Sequence, residues 1–457
     1  MTRLQRLDWP DNGTPDLPPA FAPEEAEARL AVVREAMLRA GYAALVIYGD
    51  REHAANLHWL TGFDPRFEEA VLVVTAGDAL LLAGNECLAY TTVSPLVAAG
   101  RVRTGLCASL SLPSQPRGSR RLWDWLDEVI PPGVTVGAVG WKWYAADELP
   151  PGVDPALALD IPAFLADPLR DRAGRVENAT ALFMHPAQGL RARVGADDIA
   201  RLEFSNHMAA SALKRMVFAL QEGMTDFAAV EAARIGGLPL GCHVTFAMGD
   251  TPGLSGPVGD RIRRGVPASF NIAHWGSNIC RAGWMARGPD DLPPGAAGYL
   301  EEFVFPYAQA MSDWCAMMRP GVAGGAVWAM IHDRLPAHFG ITLNPGHLIG
   351  LDEWMSSPIM PGSGIPLASG MAMQMDVIPA HPAFGSTRME DGYVIADDGL
   401  REDLARRHPN LVRRCAARAA FMTRVIGMDV PESLLPLADT CGIIAPWLLD
   451  PAQVVVL

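Results

Sequence analysis

The sequence predicts an α/β domain followed by an α+β domain, and three observations carry that expectation. The chain has 457 residues, more than a single hydrophobic core ordinarily serves. Its first part alternates apolar runs of strand length with amphipathic helical stretches, the pattern of a mostly buried sheet flanked by helices. Past residue 196 helical and strand-like runs are grouped rather than alternating, which is the α+β pattern. The domains are expected over 1–190 and 191–457, with the Pro-rich, weakly periodic stretch 150–195 as linker.

Residues 1–20, rich in Pro, Asp and Gly, read as an irregular arm. Pro23, Glu24 and Glu25 open a helix with the apolar stripe Ala26, Leu30, Val33, Met37 and Leu38, and Gly41 ends it. Strands follow at 44–48, 70–74 and 79–82, the last two flanking the turn Ala76-Gly77-Asp78. A strand over 101–106, a helix over 120–129 and a strand over 134–139 continue the alternation. The second domain starts with a long helix over 196–220 (Ile199, Leu202, Met208, Leu213, Met216, Leu220), stopped near Gly223, and Thr225 can cap the next helix. Further helices are expected over 296–318, kinked at Pro306, and 326–339. Strand-like runs lie at 242–248, 268–273 and 371–378, and a helix and a Pro-broken apolar tail fill 401–457.

Composition narrows the function classes. Half the residues are hydrophobic and 19% are charged, the balance of a packed globular chain. A net charge of −14 disfavours nucleic acid and anionic membrane as partners. Short basic clusters such as Arg261-Ile262-Arg263-Arg264 and Arg406-Arg407-His408 read as solvated faces. Only Lys142 and Lys214 are lysines, a bias that fits genomic base composition better than function. No apolar stretch reaches the roughly 18 residues that span a bilayer, and no apolar signal-peptide core opens the sequence, so a cytoplasmic location is expected. The seven cysteines form no CxxC pair and read as small buried hydrophobes in a reducing compartment.

The chemistry lies in ordered motifs. Asn344-Pro345-Gly346-His347 leads into Leu348-Ile349-Gly350-Leu351-Asp352-Glu353-Trp354, and Arg388-Met389-Glu390-Asp391-Gly392 comes some forty residues later. Earlier stand Ala55-Asn56-Leu57-His58-Trp59-Leu60-Thr61-Gly62-Phe63, Gly223-Met224-Thr225, Ser277-Asn278-Ile279-Cys280-Arg281 and Arg319-Pro320-Gly321. In this order the motifs resemble the creatinase/aminopeptidase P family over most of the chain. The resemblance implies a creatinase-like N-terminal domain, a pita-bread catalytic domain and a homodimer. It also implies that the N-domain turn, with Arg51, His53 and His58 beside it, reaches the partner's pocket.

Family members that bind two metals use two Asp, one His and two Glu. Carried over, the His falls on His347, the last Glu on Glu390 and the other Glu on Asp376, while the two Asp positions hold Asn271 and Asn278. Two such changes remove two negative charges and the oxygens that bridge cations about 3.5–4 Å apart. Creatinase's auxiliary His falls on Ser255, and a second auxiliary His, seven residues past His347, falls on Trp354. No cofactor is therefore favoured, as in the creatinase branch, and a single divalent metal on His347, Asp376 and Glu390 is the alternative.

The expected site has His347 as acid/base with Glu390 and Asp376, whose charges should raise the imidazole pKa. Asn271, Asn278, Trp354, Ser255, Arg388 and His274 are the candidate substrate-binding residues. Ser255 lacks a G-x-S-x-G context, which argues against a serine nucleophile. Trp354 and Trp275 offer cation–π faces to a cationic substrate; the bland readings are a space-filling Trp354 and a core His347. Trp284, Trp314 and Trp328 read as core or interface. The favoured function is a metal-independent hydrolase of a small, polar, nitrogen-containing non-peptide substrate. The alternatives are a lyase acting on a sulfonium or betaine zwitterion, an Xaa-Pro aminopeptidase-like metallopeptidase, and an inactive pita-bread binding protein.

Overall fold

The computed structural model describes residues 1–457. The chain divides into two compact units, one of residues 20–191 and the other of residues 1–19 together with 192–457. The arm expected in the first domain thus belongs with the second. Arg3–Arg6 is a strand that pairs antiparallel with Gln453–Val456. Trp9, 4% exposed, packs edge-on against Phe218 and donates its indole N–H to the Pro451 carbonyl.

The 20–191 unit is built on a six-stranded sheet. Its order is Arg103–Leu106, Ala79–Ala83, Ala70–Thr75, Ala44–Gly49, Thr135–Val139 and Arg175–Asn178. Only Ala70–Thr75 runs against its neighbours; the other pairings are parallel. Ala44–Gly49 is buried along its whole length, which suits the unbroken run ALVIYG to a central strand covered on both faces. The helix Pro23–Arg39 has Pro in its first turn and Gly41 at φ +81° just beyond its end. The 150–195 stretch is not a bare linker: it contains the helix Ala163–Arg172 and the sheet's edge strand Arg175–Asn178. Ala55–Thr61, expected as a turn, is a helix.

The other unit carries two four-stranded antiparallel sheets. One has the order Arg388–Glu390, Ser277–Trp284, Pro267–His274 and Thr245–Met248. The other has the order His347–Leu348, Ala372–Gln374, Gly392–Ile395 and Leu434–Pro436. Asp391 alone separates Arg388–Glu390 from Gly392–Ile395, so the chain passes from sheet to sheet at the Glu-Asp motif. The long helix Ala196–Ala219 packs on the Pro267–His274 and Ser277–Trp284 hairpin, and Thr225 caps the next helix by accepting the Ala228 N–H. Pro306 does not kink a single helix. A π-helical turn over Tyr299–Val304 ends where Phe305–Met317 begins, with Pro306 in its first turn, where a missing N–H costs nothing. Gly324–Arg334 stops short of the expected end because Pro336 follows.

Candidate active site

Strand register decides which side chains can meet. Asn271 stands opposite Cys280, Ala273 opposite Asn278, and Cys280 opposite Glu390. Side chains alternate between faces and directly paired residues share one, so Asn271, Asn278, Cys280, Arg388 and Glu390 point the same way. His274 stands opposite Ser277 and therefore points to the other face. The structure thus does not bring His274 into the cluster with Asn271 and Asn278; its ring is buried, and burial lowers its pKa. On the second sheet His347 stands opposite Gln374, and Asp376 follows two residues after that strand ends, close enough to His347 for their charges to act on each other. Gly346, at φ +115°, delivers the chain into His347; a Cβ there would meet the Gln374 carbonyl at 3.0 Å.

The two faces join through a directed chain of hydrogen bonds. The Thr245 backbone N–H donates to Asn271 Oδ1 at 2.8 Å, and the Thr245 hydroxyl donates to the same oxygen at 2.6 Å. A backbone N–H can only donate, so Asn271 must present its oxygen to Thr245 and its NH2 to the site. Asn271 Nδ2 then donates to Asn278 Oδ1 at 2.9 Å. Asn278 in turn directs its NH2 at two carboxylates, Glu390 Oε1 at 2.9 Å and Glu353 Oε1 at 3.1 Å. Gln374 Nε2 donates to the Asn278 backbone carbonyl and approaches Glu390 Oε1 at 3.4 Å.

Behind Glu390, the buried Arg281 bonds the Glu390 carbonyl at 3.1 Å and the Asp391 carboxylate at 2.8 Å. Arg388 lies 3.7 Å from Glu390 Oε2 and donates to Cys280 Sγ at 3.1 Å. Burial pushes the Glu390 carboxyl well above its ordinary pKa, and repulsion from Asp376 pushes it further. Asp376 is also raised by burial, but Arg388 and His347 oppose the rise. Burial and mutual repulsion thus favour the protonated form of Glu390 more strongly than that of Asp376. Glu353 is raised by burial and partly restored by its bond from Asn278.

The expected rise of the His347 pKa is not found. The ring is fully buried, and desolvation lowers its pKa against the opposing pull of Asp376 and the Leu348 carbonyl. Its Nδ1 lies 3.1 Å from that carbonyl, so the proton sits on Nδ1 and Nε2 carries a lone pair. Nε2 has no hydrogen-bond partner and lies 3.8 Å from Glu353 Oε1. Gln374 Oε1, Asp376 Oδ1 and Arg388 Nε are likewise buried without a partner. Trp354 stacks on the His347 ring at 4.2 Å and 24°. Ser255 makes no hydrogen bond to this cluster; its backbone carbonyl accepts the Phe246 N–H of the edge strand at 2.8 Å. Trp284 and Trp314 are buried in the core.

Sequence reasoning missed Glu353, Gln374 and Thr245. Glu353 sits in an irregular loop where no periodicity marks its direction, and the only signal is an acidic residue beside Trp354. Its side chain, 30% exposed, is the acid of the cluster that stays open to solvent.

Asn271 and Asn278 are uncharged amides, and Asn278 turns N–H groups rather than an oxygen toward Glu390 and Glu353, an arrangement that offers no bridging carboxylate between those two strands. The groups able to hold one ion are His347, Glu353 and Glu390, whose ligand atoms lie within 4.8 Å of one another. Asp376, expected in that set, is not part of it.

No family model matches the sequence, and neither does any curated protein. Solved structures do match. A prolidase from Pyrococcus horikoshii OT3 superposes with a TM-score of 0.62 at 13% identity, covering 81% of this chain and 95% of its own. The dipeptidase PepE from Mycobacterium ulcerans gives 0.59 at 22% identity, covering 83% and 95%. A variant of aminopeptidase P from Escherichia coli gives 0.56 at 14% identity, covering 82% and 93%. An α/β unit and a two-sheet α+β unit, superposable on these peptidases over most of both chains, give this protein the pita-bread fold of prolidase and aminopeptidase P.

Proposed function

We propose that the protein is a metal-independent hydrolase of the creatinase/aminopeptidase P family, acting on a small, polar, nitrogen-containing substrate that is not a peptide. The observation that carries this reading is the amide chain from Thr245 through Asn271 to Asn278, which supplies N–H donors to Glu390 and Glu353 where cations would otherwise lie. The unpartnered lone pair of His347 Nε2 takes a proton from water as its oxygen attacks the carbon of the scissile C–N bond. The proton that burial favours on Glu390 goes to the departing nitrogen. The partly exposed Glu353 carboxyl and the indole of Trp354 favour a substrate carrying positive charge.

A one-metal reading is favoured by a single observation, the approach of His347, Glu353 and Glu390 to one another. Metal analysis of the purified protein separates the two. The proposal expects less than one tightly bound transition metal per chain, and turnover of guanidino or N-methylated amino-acid substrates that survives chelation. Stoichiometric metal with chelator-sensitive turnover would replace it, and an elimination product from a sulfonium or betaine compound would make the enzyme a lyase. We also propose a homodimer, which light scattering in solution tests directly.

A further inference from the structure

A cavity of about 220 Å³ is lined wholly by residues of the 20–191 unit. It opens at the carboxyl ends of Ala44–Gly49 and Thr135–Val139, which are parallel neighbours in the sheet. After Ala44–Gly49 the chain adds strands on one side, then crosses back to place Thr135–Val139 on the other. The strand order reverses between these two strands, and in open α/β sheets ligands bind in the crevice outside the carboxyl ends at such a point.

The lining sets the sign of the occupant. Asp50 and Asp160 face the cavity with Tyr48, His53 and Trp141, and no Lys or Arg lines it. The Trp141 and Lys142 N–H groups donate to Asp160 Oδ2 at 2.7 and 2.8 Å, while Oδ1 has only the Tyr144 hydroxyl at 3.5 Å. Asp50 Oδ1 accepts the Glu52 and His53 N–H groups at 2.9 and 2.8 Å, and Oδ2 lies 3.3 Å from His53 Nδ1. A carboxylate offers about four lone-pair sites, so both are fixed in place with accepting capacity left over.

The aromatic wall is fixed too. The His53 ring packs on Trp141 at 4.3 Å, and Trp141 keeps 38% of its surface exposed. The Lys142 ammonium already lies 5.7 Å from the ring centres of both Trp141 and Tyr144. Gly140 makes the closure possible, because a Cβ there would stand 1.8 Å from the Asp160 carbonyl oxygen. The volume falls below the roughly 300–1,000 Å³ of sites for drug-sized ligands, which points to a small metabolite.

We propose that this cavity is a second, non-catalytic binding site for a small organic ammonium compound. Calorimetric titration of the full-length protein with choline and with ethanolamine tests it. Saturable binding near one per chain is expected, weakened about tenfold by either Asp160→Asn or Trp141→Ala. The uncharged choline isostere 3,3-dimethylbutanol should bind at least about tenfold more weakly. Because the central site is itself expected to favour positive charge, the titrations are repeated in Glu390→Gln and His347→Ala backgrounds, where binding to this cavity persists. Asp50→Asn serves as a second acidic variant, and each variant is first checked for cooperative melting. Failure of both cations to bind at millimolar concentration overturns the proposal, as does equal binding of the isostere. Loss of binding in Glu390→Gln or His347→Ala would place the cation in the central site instead.

Discussion

At the scale of single residues, orientation matters more than identity. Asn271 and Asn278 differ from carboxylates by one NH2 each, yet the Thr245 N–H fixes which way both amides face. Reversing both changes therefore makes a sharp test: Asn271→Asp with Asn278→Asp puts back two oxygens and two negative charges beside His347, Glu353 and Glu390. Metal analysis after equilibration with Mn²⁺ should find uptake rising toward two ions per chain, with less than one in the parent; equal uptake by both would show that the amides do not exclude metal. A second prediction concerns the proton on Glu390. The folded-state pKa is raised well above the unfolded one, so the stability this group contributes is fully present below the unfolded value. That stability is lost as pH rises toward the folded value, by up to about 1.4 kcal/mol per pH unit. Glu390→Gln should therefore melt higher than the parent at pH 8, with the gap narrowing toward pH 5. A constant gap would refute the shift. His347 and Glu390 were legible in the sequence because their motifs carry them together. That His274 faces away from this cluster and Glu353 joins it was not legible, because strand parity and loop direction are settled by pairing partners far along the chain.

At the scale of elements, local signals succeeded where they were strong and failed where they conflicted. Pro23 with its acidic first turn and the apolar stripe behind it gave the first helix almost to its ends. Pro168 inside Ala163–Arg172 hid a helix within an apparent linker, and the short, partly charged Arg175–Asn178 hid the edge strand beyond it. Ala55–Thr61 begins without a side-chain cap, so nothing local announces it, although Gly62 at φ +70° ends it clearly. That helix carries the third prediction. Burial pushes the pKa of His58 down to about 4, with Arg191 and Arg29 adding to the effect. The folded state binds the proton more weakly than the unfolded state, so stability is present above the unfolded value and is lost as pH falls toward about 4. The loss amounts to up to about 3 kcal/mol. His58→Gln should flatten the decline in denaturation midpoint between pH 6.5 and pH 4 relative to the parent, as measured by urea unfolding of the 20–191 unit. An unchanged slope would mean that other groups set the acid limit.

At the scale of the molecule, grouping of apolar runs made the fold class legible, but nothing in MTRLQR marks a strand. Arg3–Arg6 becomes one only because Gln453–Val456, from the other end of the chain, offers it an edge. The arm continues inward from that pairing: the Lys214 ammonium donates to the Trp9 and Pro10 carbonyls, and Asn12 bonds the Asp439 carboxylate through both its backbone and side-chain N–H groups. Asp439 also pairs with the buried Arg418, which shares Glu203 with Arg414. The arm is therefore wired into a buried ion network linking the helices Ala196–Ala219 and Pro409–Phe421. Removing a partner from such a network exposes its cost, because a buried charge left uncompensated is strongly destabilising. Trp9→Ala should lower stability by about 3 kcal/mol, as large aromatic truncations in cores do. Hydrogen exchange localises that loss: amides in 210–218 and 444–457 should exchange faster, while those in the 44–75 strands keep their protection. Equal loss in both units would show that the arm supports the whole chain rather than the unit with which it packs.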